Sequence, residues 1–225
     1  MQRTLHVHRV DTMKRLFRIT FKALSLWTMW LFFLPKIRHE SKENRKSTFA
    51  FKGPAIIVTN HTHFFDFILM IYLFAFRYVR CIVGKTLYES SKLMTLIMKL
   101  LGSIKVDRFS FDMDFFYEAT EHLRKKGVIL IFPEGRLSRD GTLLPFKSSV
   151  VMMALRTGVD IIPVYHTHQY GFLKRVGVMV GDRINLSDMS ETATPDEEKI
   201  KELTLLLENK IKSLRDLYER GGGVR

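Results

Sequence analysis

The chain has 225 residues, 46% of them hydrophobic, and a formal net charge of +13. That is enough apolar material for one α/β domain with a sizeable core, and it excludes a disordered polypeptide. Its single cysteine, Cys81, can form no internal disulfide, which excludes a disulfide-stapled scaffold and fits a reducing compartment.

Charge is the first feature in chain order. Residues 1–48 hold eleven Lys or Arg against Asp11, Glu40 and Glu43, so +8 of the +13 excess lies there. The same region contains "ALSLWTMWLFFL", residues 23–34, an uncharged run with Trp27 and Trp30 inside it. A helix of that length spans roughly 18 Å, short of the roughly 30 Å of a bilayer's hydrocarbon core. The run is therefore read as an amphipathic helix lying in the interface, with its tryptophans at headgroup depth. Extended back to Leu16 it takes in Arg18 and Lys22, which can snorkel, so a single tilted span is the alternative. Leu34-Pro35-Lys36 offers no small-residue cleavage site, which speaks against a signal peptide.

Each Lys or Arg beside an anionic leaflet adds about 1 kcal/mol of attraction, so this segment can hold a protein at a membrane. A core helix with a solvated basic flank is the bland reading of the same residues. No zinc-finger spacing, RRM-like aromatic strand or Arg-Gly tract accompanies the charge, so lipid is expected as a partner and nucleic acid is not. The expected location is the cytoplasmic face of a membrane. The expected organisation is a membrane-associating segment at 1–48, one domain at 49–220 and a flexible tail at 221–225.

After "KIRHESKENRKSTF", read as a basic linker, apolar β-rich runs alternate with helical patterns. Strands are predicted at 54–59, 79–84, 103–107, 128–132, 161–165 and 175–183. Helices are predicted at about 64–76, 89–101, 112–126 and 146–157, with a last one at 195–219 that opens on Pro195 and acidic residues. The alternation predicts an α/β fold with a mostly parallel central sheet flanked by helices. Cys81, inside "YVRCIVG", reads as a buried structural thiol. On the second helix, Met94, Leu96, Ile97, Met98, Leu100 and Leu101 are either core or the lining of an apolar groove.

Ligands of open α/β sheets bind beyond the carboxyl ends of the strands. Three polar clusters, "NHTHFFD", "VDR" and "PEGRLSRDG", each follow a predicted strand. In the first, His61 and Asp66 are five residues apart, about 140° on an ideal helix, so a turn entering a helix must bring them together. Asp66 would then sit at the positive end of the helix dipole and orient one imidazole nitrogen, leaving the other to accept a proton near neutrality. A metal site on His61 and His63 is a weaker alternative, because no third ligand is at hand; no metal is expected. Pro133 and Gly135 force a turn with Glu134 at its corner. Arg108, Arg136, Arg139 and Lys147 supply cations of the kind a phosphate monoester requires. Each of these also has the plain reading of a solvated surface charge.

"NHTHFFD", "GSIKVDR", "FPEGRLS" and "IIPVY", in that order across residues 54–166, resemble the four motifs of the glycerolipid acyltransferases, the 1-acylglycerol-3-phosphate O-acyltransferase family. The resemblance implies a catalytic dyad at His61 and Asp66. It implies that Arg108, Glu134 and Gly135 meet the glycerol phosphate and that Ile162 and Pro163 shape an acyl pocket; Arg136, Ser138 and Lys147 are expected alongside as further substrate-binding residues. It departs from the family's usual Phe-Pro-Glu-Gly-Thr-Arg-Ser in that Arg136 follows Gly135 directly, a feature similar to the branch that reacylates lysophosphatidylethanolamine.

The expected reaction is one-step acyl transfer from an acyl thioester, on coenzyme A or acyl carrier protein, to the free hydroxyl of a lysophospholipid acceptor, giving phosphatidate when the acceptor is 1-acylglycerol-3-phosphate. No bound cofactor is expected. No GxSxG elbow is present, so no acyl-enzyme is expected. Asn60 or a backbone N–H of the turn is the candidate oxyanion donor. A non-catalytic membrane scaffold is the reading from another class, and the presence of His61, Asp66, Arg108 and Glu134 together stands against it.

Overall fold

The computed structural model describes residues 20, 34–47, 51–107, 113–170, 174–190 and 195–224. Among them the elements run β1 (Lys36–His39), α1 (Lys42–Ser47), β2 (Ala55–Thr59), α2 (Asp66–Leu73), β3 (Val79–Gly84), α3 (Lys85–Tyr88), α4 (Lys92–Leu101) and β4 (Ile104–Val106). Then follow α5 (Asp114–Arg124), β5 (Val128–Ile131), α6 (Ser149–Thr157), β6 (Ile161–His166), β7 (Gly177–Val180), a 3-10 turn (Leu186–Met189) and α7 (Glu197–Glu219).

The strands form one sheet in the order β1-β7-β6-β2-β5-β3-β4. Every pairing is parallel except β6 with β7. Central β2 is flanked by β5 and β6, with Ile57 opposite Leu130 on one side and Ile162 on the other. All five β2 residues are buried, as expected of a strand covered on both faces. Because side chains alternate, Ala55 and Ile57 join one core with Leu69, Met70 and Phe74 of α2, while Ile56 and Val58 join a second with residues of α5, α6 and α7.

Helix ends follow their capping residues. Ser91 accepts the Met94 amide at 3.1 Å to start α4, and Gly102, at φ +72°, closes it. Asp196 accepts the Lys199 amide at 2.8 Å to start α7, whose Leu203, Leu207, Ile211 and Leu214 form the buried stripe. Met98 and Leu101 of α4 are core, whereas Leu93 and Leu96 face outward.

Two expectations need correction. Residues 36–47, read as a linker, form the strand at one end of the sheet and a short helix. Their charges misled because Arg38 is buried, with its Nη1 donating to the carbonyls of Tyr218 and Gly222, both at 3.2 Å. The carboxyl-terminal residues, read as a flexible tail, return to that strand, where Val224 and His39 exchange two backbone hydrogen bonds of 2.7 Å. The predicted amphipathic helix at 23–34 lies outside the described residues apart from its last position. Among the described residues no helix is long and apolar enough to cross a membrane.

Candidate active site

Four parallel strands, β2, β3, β4 and β5, end on the same edge of the sheet, and their following loops surround a cavity of about 1300 Å³. Chain direction alone thus brings the polar clusters together.

The loop after β2 carries the dyad. Asp66 is the first residue of α2, and its neighbour Phe65 supplies no capping side chain. The carboxylate caps the turn itself: Oδ2 accepts the amides of Thr62 at 2.7 Å and His63 at 2.8 Å, and faces His61 Nδ1 at 2.9 Å. Those amide bonds fold the five-residue separation into contact. His61 Nδ1–H therefore donates to Asp66, leaving Nε2 as the nitrogen available to act as a base. The His61 ring stacks on Phe132 with centroids 4.1 Å apart and lines the cavity.

Asp66 is fully buried. Burial by itself would raise its pKa, but the His166 ring, the His61 and His63 hydrogen bonds and the Tyr170 hydroxyl outweigh it, and the carboxyl is held below its ordinary value.

The loop after β5 pins the loop after β2. Phe132-Pro133-Glu134-Gly135 is a turn closed by the Gly135 amide on the Phe132 carbonyl at 3.1 Å. Glu134 Oε1 accepts the His61 amide at 3.0 Å, and Oε2 accepts the Leu144 amide at 3.2 Å. The Ser138 amide donates to the His61 carbonyl at 2.7 Å. Burial is the main influence on Glu134, pushing it up to about 7 against the two amides.

Gly135 is required where it stands, because its φ is +68° and a Cβ there would come within 2.9 Å of Lys147 Cε. Arg136 and Lys147 line the cavity beside it. Neither forms an ion pair among the described residues, so both charges are free to meet an anion. The lining also contains apolar side chains, among them Phe64, Phe67, Val83, Leu87 and Ile131. Cys81 is part of the lining too, with its thiol pushed up to about 12 by burial, the state of a structural thiol and not of a nucleophile.

Several expected site residues fall elsewhere. Ser138 does not line the cavity: its hydroxyl donates to Asp140 at 2.9 Å inside the loop. Glu134 spends both oxygens on backbone amides, so it acts on the loop that carries His61. Ile162 and Pro163 lie within β6, opposite Ile57 and Val58 in the sheet, and the cavity opens on the other side of β2. The α4 residues do not line it either. Asn60 is not an oxyanion donor, because its amide is spent on the His166 main chain, accepting from its N–H at 3.0 Å and donating to its carbonyl at 2.9 Å. Arg108 lies outside the described residues, next to Asp107, which binds Lys85 at 2.9 Å at the cavity rim. His63 stacks on Tyr170 with centroids 4.6 Å apart, away from His61's ring contacts. Among the described residues no group of three or more His, Cys, Asp or Glu side chains is arranged to hold a metal ion.

His166 and Tyr170 were missed. His166 is the last residue of β6 and Tyr170 lies four residues on; β6 is parallel to β2, so "HTHQY" reaches the dyad for the same reason as the other clusters. That shared placement, a polar group directly after an apolar strand, was the available signal.

Comparison with known proteins places these features in context. Residues 36–167 match the acyltransferase family. The chain is 33% identical over 129 residues to a 1-acyl-sn-glycerol-3-phosphate acyltransferase of Borreliella burgdorferi, covering 56% of this chain and 50% of that protein. It is 30% identical over 132 residues to a chloroplastic 1-acyl-sn-glycerol-3-phosphate acyltransferase of Arabidopsis thaliana, covering 57% of this chain and 35% of that one. It thus spans half or less of the length of these two relatives. The crystal structure of the 1-acyl-sn-glycerophosphate acyltransferase PlsC from Thermotoga maritima superposes with a TM-score of 0.67 at 20% identity, covering 92% of this chain and 82% of that one, which establishes the shared fold.

Proposed function

The chain belongs to the acyltransferase family, and from that premise we propose that it moves a fatty acyl group from an acyl thioester to the free hydroxyl of 1-acylglycerol-3-phosphate, forming phosphatidate. The observation that carries the reading is the His61–Asp66 pair, 2.9 Å apart, with His61 lining a cavity whose other lining includes both apolar side chains and the cations Arg136 and Lys147. An acceptor with an acyl chain and a phosphate needs both surfaces.

In this mechanism His61 Nε2 takes the proton of the acceptor hydroxyl as its oxygen attacks the thioester carbonyl. The C–O bond forms, the C–S bond breaks, and His61 returns the proton to the departing thiolate. Asp66 keeps the proton of His61 on Nδ1, so that Nε2 stays free for the substrate. A positioned base contributes about 10² to 10⁴ in rate, and confinement of both substrates in one cavity supplies further acceleration. The donor carrier is coenzyme A or acyl carrier protein, and no bound cofactor enters the scheme.

Work at a membrane surface accords with this reading, since acceptor and product are lipids and the stretch 1–34, with six Lys or Arg against Asp11 and with Trp27 and Trp30, suits the cytoplasmic face of an anionic leaflet. The order Gly135-Arg136 is similar to the branch that reacylates lysophosphatidylethanolamine, which makes that lipid the alternative acceptor. Purified protein offered one thioester donor with lysophosphatidate and lysophosphatidylethanolamine in parallel tests the reading. Turnover of lysophosphatidate supports it; turnover of the ethanolamine lipid alone replaces it with a remodelling activity, and turnover of neither contradicts it.

A further inference from the structure

Asp66 has two carboxylate oxygens, and the dyad uses one. Oδ2 takes Thr62, His63 and His61; Oδ1 is held by the hydroxyl of Tyr170, which donates to it across a separation of more than a hundred residues in sequence. We propose that Tyr170 is a positioning residue of the dyad, fixing the rotation of the Asp66 carboxylate so that Oδ2 stays directed at His61 Nδ1.

The geometry around Tyr170 supports a built contact. Its ring is clamped against His63 at 4.6 Å and lies edge-on to His166 at 6.2 Å, so the hydroxyl is carried at a fixed height above Asp66. His166 is fully buried, with Nε2 facing the Asn60 carbonyl at 2.9 Å and Asp66 Oδ2 at 3.6 Å, and Nδ1 within 3.4 Å of the Tyr170 oxygen. Asn60 locks the His166 main chain through two further bonds. The end of β6 and the residues after it thereby bring His166 to Oδ2 and Tyr170 to Oδ1 of the carboxylate that His61 faces.

Rotation about the Cβ–Cγ bond displaces both oxygens, so the Tyr170 bond to Oδ1 adds to the restraint that the three partners of Oδ2 impose. The hydroxyl also draws charge from the carboxylate, which limits how strongly Asp66 attracts the His61 proton. The charged or titratable groups facing Asp66 are His61, His166 and Tyr170, with Glu134 responding to it from the β5 loop.

Tyr170→Phe removes the hydroxyl and keeps the ring that stacks on His63. In the full-length protein kcat should fall about tenfold with KM for lysophosphatidate nearly unchanged, the size of a lost hydrogen bond to a charged group. The acid limb of the kcat/KM profile should move to higher pH, because the carboxylate gains charge density. By 15N-histidine NMR the His61 Nδ1–H resonance should shift and broaden. Unchanged kcat, limb and resonance would overturn the proposal. So would a loss of kcat matched by loss of folded protein, with limb and resonance unmoved, since that is a purely structural role. The kinetic arm rests on the acyl-transfer reading, whereas the NMR arm does not: an inactive wild type whose resonance still responds to Tyr170→Phe refutes the reading and leaves the inference standing.

Discussion

Glu134 holds His61 by its main chain. The carboxylate accepts the His61 amide at 3.0 Å and the Leu144 amide at 3.2 Å, while the Ser138 amide takes the His61 carbonyl at 2.7 Å. The loop after β5 thus grips both backbone groups of the residue that follows Asn60. The base of the proposed mechanism is thus placed by a buried acid that takes no part in the proton transfer.

That burial has a pH signature. Glu134 is raised from the ordinary carboxyl value of 4.5 to about 7 in the folded protein. A carboxyl raised on folding contributes stability that is full below about 4.5 and is lost as the pH rises through about 7. Glu134→Gln should remove this dependence, so the stability of the wild type relative to the variant should drop by about 2–4 kcal/mol between pH 4.5 and pH 8. Urea unfolding at those two pH values checks it; parallel curves for the two proteins would show that Glu134 does not titrate as argued.

Asp66→Asn preserves shape and removes the charge that fixes the His61 tautomer. An Asn oxygen in the place of Oδ2 still accepts the Thr62 and His63 amides, but it carries no charge to hold the proton on His61 Nδ1 or to stabilise the imidazolium. We expect kcat to fall by about 10² to 10⁴ with circular dichroism unchanged. Retention of more than a tenth of the wild-type rate would remove Asp66 from the mechanism.

Gly135→Ala forces an L side chain into φ +68° and puts Cβ 2.9 Å from Lys147 Cε. The conformational cost alone is about 1–2 kcal/mol. Lys147 must also give way, so KM for a phosphate-bearing acceptor should rise. A thermal melt within a degree of wild type and an unchanged KM would contradict both arguments.

Arg136→Ala and Lys147→Ala separate charge from chemistry. Both side chains line the cavity, and neither has an acidic partner among the described residues. Each variant should raise KM for lysophosphatidate about tenfold and leave kcat close to wild type, because the charge–phosphate contact exists before and during reaction. A fall in kcat at constant KM would instead assign the residue to the transition state.

Much of this was legible from local pattern. The buried run Ala55–Thr59 and its abrupt polar end placed a strand and a site loop together, and the His61–Asp66 spacing required the turn that the structure contains. What local pattern could not reveal was the direction of side chains set by distant partners. Ser138 and Glu134 read as ligand contacts because nothing nearby in sequence shows that Asp140, His61 and Leu144 satisfy them. Ile162 and Pro163 were misplaced because only the strand order shows which side of β2 the cavity opens on. Arg38 looked solvated because the carbonyls that bury it come from 180 and 184 residues away.

The most direct test of the account is the rate of acyl transfer from one thioester donor to lysophosphatidate by the wild type and by His61→Ala, measured side by side on folded protein. The account predicts wild-type turnover and a loss of about 10³ or more in the variant. Comparable rates from the two proteins would contradict it, because no other group in the cavity has been assigned to take the hydroxyl proton.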